Sequence, residues 1–128
     1  MADARFLLDS NICIYLLEAL SEPSRRAVER YEPGEVVTSA VAYAEVFRGV
    51  DFSNAKSISD TASFFEAIPV LPFDGNAAEA YSKLPFERQR FDHLIAAHAL
   101  SRNLTLVTRN TRHFRNVPDL RVENWTLP

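Results

Sequence analysis

Long apolar runs are missing from this chain. No stretch approaches the ~18 consecutive apolar residues that a membrane-spanning helix needs, so no bilayer span and no membrane partner are expected. Acidic Asp3 precedes the first apolar segment, and no extended hydrophobic leader follows it, so a secretory signal is not expected either. Cysteine is nearly absent. The single Cys13 excludes an internal disulfide and fits a reducing cytoplasm. It stands in Ile12-Cys13-Ile14-Tyr15-Leu16-Leu17 and reads as a small core residue rather than a reactive thiol. Internal repeats, low-complexity tracts and linkers are lacking, and no Asn-Gly hairpin signal separates the apolar runs. The three histidines, His93, His98 and His113, have no partnered nucleophile motif, which excludes a catalytic triad. His93 and His98 are five apart, so they do not share a helix face as an i, i+4 zinc pair would.

An overall surplus of positive charge is also absent. The net charge is −3, which argues against a general nucleic-acid binder. The average conceals an asymmetry. Residues 86–115 carry two acids (Glu87, Asp92) against six bases (Arg88, Arg90, Arg102, Arg109, Arg112, Arg115), or +4, leaving −7 for the rest. A basic surface beside an acidic centre suits a polyanion laid over a metal site; the bland alternative is a solvated helix face and a polar loop.

What is present is enough for one core. The chain has 128 residues, 47% of them hydrophobic, and reads as a single domain over 1–128. Strands are expected at 5–8, 35–38, 68–71 and 104–107, with a last edge strand at 120–122. Helices are expected at 11–20, 23–31, 39–50, 54–67, 77–84 and 87–101. Ser10 or Asn11 is a candidate cap for the first helix, and Asp74 for the fifth. Residues 52–60 are the most loop-like interior stretch, and Trp125 is expected to close one end of the core. Alternating strands and helices imply an α/β fold with a mostly parallel sheet of four to five strands covered on both faces.

Four polar residues sit where apolar elements end or turn inward. Asp9 follows Phe6-Leu7-Leu8, Glu45 lies in Val41-Ala42-Tyr43-Ala44-Glu45, Asp92 opens Asp92-His93-Leu94-Ile95-Ala96-Ala97, and Asn110 follows Leu106-Val107-Thr108-Arg109. Carboxylates among apolar residues need something to offset their desolvation, and a divalent ion would do so. Oxygen ligands suit Mg²⁺ or Mn²⁺ rather than zinc. Asp9 and Asn110 would lie at the C-terminal edge of a parallel sheet, where ligand sites form. Each residue alone has a plainer explanation: Asp9 or Asp92 as a helix cap, Glu45 paired with Arg48.

These motifs resemble the PIN-domain family, in particular its VapC toxin type, over nearly the whole chain. The markers are Leu7-Leu8-Asp9-Ser10-Asn11, Thr38-Ser39 leading to Ala44-Glu45, Asp92-His93-Leu94-Ile95-Ala96-Ala97-His98-Ala99, and Leu106-Val107-Thr108-Arg109-Asn110 with Phe114, Val117-Pro118 and 120–125. The resemblance implies a three-layer PIN-like domain and a Mg²⁺-dependent endoribonuclease, with Mn²⁺ able to substitute. It implies metal-site acids at Asp9, Glu45 and Asp92, with Asn110 as a fourth polar position. Such a metal would lower the pKa of a water and neutralise charge on the attacked phosphate. Asp9 and Asp92 are the first choices as direct ligands. Glu45 would bind directly, through water, or as proton acceptor. Ser10 and Asn110 would orient waters, and Thr108 would hold the loop. Arg88, Arg90, Arg109 and Arg112 are candidate phosphate contacts. Ser10 stands where threonine is commoner, and 86–91 lacks the glycine-containing turn of many relatives, which touches substrate contacts rather than the metal site.

The resemblance also implies an RNA substrate of the tRNA or rRNA class and a small VapB-type antitoxin. The antitoxin's tail would cover the groove and offer an arginine to the acids. It implies a homodimer too, with Ile12, Tyr15, Leu16, Tyr43 and Phe47 as candidate interface. Two other readings compete: a non-catalytic binding module on the same fold, and a phosphatase or phosphoacceptor domain using Asp9. The latter fits poorly, because Asn11 stands where a second acid is wanted.

Overall fold

The computed structural model describes residues 2–85 and 91–128. Five strands, β1 (Phe6–Leu8), β2 (Val36–Ser39), β3 (Val70–Leu71), β4 (Thr105–Val107) and β5 (Val122–Glu123), form one sheet in the order β3-β2-β1-β4-β5. Every pairing is parallel, with Leu8 in register with Thr38 on one side and Val107 on the other. Six helices connect them: α1 (Ser10–Leu17), α2 (Glu22–Glu29), α3 (Ala40–Arg48), α4 (Ala55–Ala67), α5 (Gly75–Ser82) and α6 (Phe91–Ser101).

The period of two along β1 divides the core into two layers. Phe6 and Leu8 join Ile12, Cys13, Val46, Ile68 and Trp125 on one face; Leu7 joins Val37, Ala42, Ile95, Ala96, Leu106 and Phe114 on the other. The sheet is thus covered on both sides, as its near-continuous apolar strands require. Cys13 is fully buried, and burial pushes its thiol up to about 12, so it is inert.

Side-chain caps set most helix starts. Ser21 bonds the Ser24 N–H, Asn54 those of Lys56 and Ser57, and Asp74 that of Ala77. Three expectations need correction. The cap of α1 is Asp9, not Ser10 or Asn11. That helix stops at Leu17 rather than 20, because Ala19 takes φ 55° and the Leu20 N–H closes back on the Tyr15 carbonyl at 2.8 Å. The helix expected over 54–67 forms from Ala55 under a double cap from Asn54, so of the stretch 52–60 that reads as most loop-like only 52–54 lie outside it. The expected start of the sixth helix at 87 lies outside the described residues.

His98 is fully buried in α6, its Nδ1 2.7 Å from the Ser39 Oγ and its ring edge-on to Phe73. Burial holds its pKa below the ordinary imidazole value, with Asp74 pulling the other way. In the unfolded chain an imidazole binds its proton from about pH 6.5 downward. The unfolded state therefore takes up the proton first, and stability falls as pH drops below that point. Replacing His98 with Asn is expected to flatten the fall in urea midpoint between about pH 6.5 and 5, relative to wild type, at a packing cost of about 1–3 kcal/mol. An unchanged acid slope would remove His98 from that role.

Candidate active site

The strand order reverses at β1: the chain runs to one side of it through β2 and β3, then returns to its other side with β4 and β5. Ligand crevices in open parallel sheets form beyond the strand C-termini at such a point. Two residues stand there side by side. Asp9 follows β1, donates its N–H to the Val107 carbonyl at 3.0 Å, and is 5% exposed. Thr108 follows β4, is fully buried, and donates its N–H to the Glu123 carbonyl at 3.0 Å.

Around them the chain assembles an open groove of about 400 Å³, to which Asp9, Ser10, Glu45, Asp92, Thr108 and Asn110 all contribute. Glu45 comes from the second turn of α3, a helix positioned because Ser39 ends β2 and caps it. Asp92 comes from the first turn of α6. Asn110 sits at the entry to a 3₁₀ turn, Thr111–Phe114; its side chain makes no cap bond, and its N–H is held by the Thr108 hydroxyl at 3.1 Å.

The electrostatics of this groove are unfavourable without a cation. Burial raises the pKa of Asp9. The Thr108 hydroxyl and the Ile12 N–H, which reaches Oδ1 at 2.9 Å, oppose that shift, and the Asp92 charge adds to it. Burial also raises Glu45; the Ser10 hydroxyl opposes the shift, and Asp92 and Asp9 add to it. One buried oxygen of each of two carboxylates, Glu45 Oε1 and Asp92 Oδ1, has no hydrogen-bond partner among the described residues. Native proteins seldom leave buried acceptors so. Asp9 does cap α1, but the plainer account of Glu45 fails, because no Glu45–Arg48 ion pair exists among the described residues.

Orphaned carboxylate oxygens on an open groove are a donor set for a hard cation such as Mg²⁺ or Mn²⁺. The chemistry of the donors therefore fits the metal, although among the described residues no three His, Cys, Asp or Glu side chains are gathered closely enough to hold one as they stand. Like-charged groups have reason to stand apart when no cation lies between them.

The arginines are less convergent. Arg109 lies exposed at the rim, its Nη1 bonded to the Tyr15 hydroxyl at 2.8 Å. Arg112 is exposed on the 3₁₀ turn. Arg88 and Arg90 lie outside the described residues. A neighbour that the sequence reading passed over is His113, whose Nδ1 is 3.6 Å from Asp92 Oδ2. Only the 3₁₀ turn brings it there, and no periodicity announces a turn of four residues. Ile12, expected at an interface, is fully buried in the core, whereas Tyr43 is exposed and meets the Phe47 ring at a tilt and the Phe65 ring edge-on.

Known proteins resemble this chain in sequence and in overall fold. The tRNA(fMet)-specific endonuclease VapC of Shigella flexneri is 34% identical over 133 residues, covering 95% of this chain and 98% of that protein. Ribonuclease VapC2 of Rickettsia felis is 28% identical, covering 94% and 97%. Among solved structures, DNA-bound VapBC from Salmonella typhimurium superposes with a TM-score of 0.84 at 27% identity, covering 95% of this chain and 98% of that one. VapBC2 from Rickettsia felis, bound to a promoter DNA fragment, gives 0.83 at 26%, covering 94% and 98%. The family model described as PIN domain matches residues 6–120, and with these relatives alongside it the chain belongs to the PIN-domain family, in its VapC branch.

Proposed function

We propose that this protein is the toxin of a type II toxin–antitoxin pair, a metal-dependent endoribonuclease that hydrolyses RNA phosphodiester bonds and thereby inhibits translation. The observation that carries the reading is the pair of orphaned oxygens on Glu45 and Asp92 beside the desolvated Asp9, at the switch point of a parallel sheet. Relatives named as endonuclease and ribonuclease support the reaction class.

Asp9, Asp92 and Glu45 would hold Mg²⁺, or Mn²⁺ in its place. A cation there supplies positive charge to a phosphate and acidifies water. The chain's own groups do the rest. The Ile12 N–H and the Thr108 hydroxyl fix the Asp9 carboxylate. Ser10 steadies Glu45, which takes a proton from attacking water, a role its raised pKa supports. Asn110, with its side chain uncommitted to a cap, orients water or phosphate. Arg109 and Arg112 lie exposed nearby as phosphate contacts. The substrate is RNA of the tRNA or rRNA class. The partner is a VapB-type antitoxin, a pairing supported by the VapBC complexes that this fold matches. A homodimer would use the exposed aromatic surface around Tyr43 and Phe47 rather than Ile12.

Total RNA incubated with the purified protein is expected to yield discrete fragments in Mg²⁺ or Mn²⁺, and none in EDTA. The metal is also expected to raise the melting temperature. At a concentration about 100-fold above its Kd it would add about 2.7 kcal/mol, reversed by chelation. No cleavage together with no thermal shift in either metal would instead favour a non-catalytic binding module.

A further inference from the structure

A second groove of about 370 Å³ opens beside the acidic one, and Glu45 and Phe91 line both. Its remaining surface is mainly apolar: Val41 and Leu94 provide aliphatic contact, Phe73 a second ring, and Arg48 a cation. Resting on the ribonuclease reading, we propose that this groove is the subsite for an unpaired nucleobase next to the scissile phosphate, held by stacking on Phe91.

Several independent features favour a base. The volume falls within the usual range for small-ligand pockets. Phe91 is 56% exposed at the start of α6, so its ring is open to a ligand in the groove. Phe73 is held from behind by an edge contact with the His98 imidazole, centroids 5.5 Å apart, so its ring is fixed before any ligand arrives. Single-stranded RNA is read by splaying bases onto such aromatic faces. The shared residues set the spacing, since a base beside Phe91 leaves its phosphate next to Glu45 and Asp92. Arg48 makes no ion pair among the described residues and can meet a backbone phosphate or a base carbonyl. An apolar peptide side chain would use the rings but would leave unused both the free cation and the continuity with the carboxylates.

The test compares Phe91→Ala, Phe91→Leu and Phe91→Trp on an oligoribonucleotide spanning a bond that the protein cuts in total RNA. The same oligonucleotide is also made with an abasic residue on each side of that bond in turn. Phe91→Ala and Phe91→Leu are expected to lose roughly 10- to 100-fold in kcat/KM, mostly through KM, while Phe91→Trp retains it. An abasic residue at one flanking position should cost the wild type the same factor and cost Phe91→Ala nothing more. Full activity in Phe91→Leu, or an undiminished abasic penalty in Phe91→Ala, would overturn the stacking. A second readout separates this from the nuclease reading. An unstructured oligoribonucleotide in EDTA should quench Phe91→Trp emission beyond the Trp125 background of the wild type. Quenching without cutting in either metal would sink the nuclease and keep the subsite. Cutting without quenching would do the reverse.

Discussion

Asp92→Asn is expected to lose RNA cleavage by about 10²–10³-fold or more, the scale seen when one preorganised charge-stabilising group is removed, while the domain becomes no less stable. The two halves have one cause. Asp92 raises the pKa of both Asp9 and Glu45, so its charge costs the apo protein something at neutral pH. The sign follows from linkage. A carboxyl whose folded pKa is raised keeps its proton longer than the unfolded chain does, so stability falls as pH climbs from the ordinary carboxylate range through the raised value. Taking away one of three converging charges shrinks that fall. The metal-free variant is expected to gain on the order of 1 kcal/mol at pH 7.5 and little at pH 4.5. Its half-exposed contact with His113 is worth little against this gain. Asp9→Asn should behave alike, because asparagine caps a helix about as well as aspartate, whereas Asp9→Ala should also lose about 0.5–2 kcal/mol of capping. Thermal melts in EDTA at the two pH values, beside cleavage assays in Mg²⁺, check both halves. A variant that still cuts, or that melts lower at pH 7.5, would show that these carboxylates are structural.

Much of this architecture can be read from local pattern. The apolar runs at 6–8, 36–38 and 105–107 are buried on both faces and contain no turn residue, so they read as parallel strands, and the structure agrees. Ser, Asn and Asp before helical segments are visible caps, and Asn54 and Asp74 act as such. The four polar residues stand out because each interrupts an apolar context, and the fold does bring Asp9, Glu45, Asp92 and Asn110 to one groove. What could not be read depends on tertiary order. Nothing local says that β4 lies next to β1, yet that adjacency is what sets Asp9 against Thr108. His113 reaches Asp92 only through a four-residue 3₁₀ turn. Ile12 and Tyr15 share a helix and similar apolarity, but only Ile12 faces the sheet, so one is core and the other half-exposed.

Trp125→Ala is expected to be the most destabilising single change, and to leave the chemistry intact wherever the protein remains folded. Trp125 is 8% exposed and ties three distant parts of the chain together. Its ring centroid lies 5.0 Å from that of Phe6 and 5.7 Å from that of Tyr31, stacked nearly parallel to the latter. Its Nε1 donates to Glu123 at 3.0 Å, and its carbonyl accepts from the Ser24 hydroxyl at 3.1 Å. Deleting a buried indole from such a cluster typically costs about 3–5 kcal/mol. For a chain of this length that corresponds to a fall in melting temperature on the order of 10–20 °C. Trp125→Phe keeps most of the apolar contact and loses the Nε1 bond, so about 1–2 kcal/mol is expected. Phe6, against which Trp125 packs, opens β1, and Asp9 follows the residue that closes it. Strand rise separates those ends by about 10 Å, too far for direct contact with the groove. Below its transition, then, Trp125→Ala should keep kcat within about twofold, since it touches none of the groups that stabilise charge there. A loss of kcat at a temperature where circular dichroism still reports the folded state would mean that the C-terminal segment positions β1 and β4, and with them the Asp9–Thr108 pair, and is more than a cover for the core.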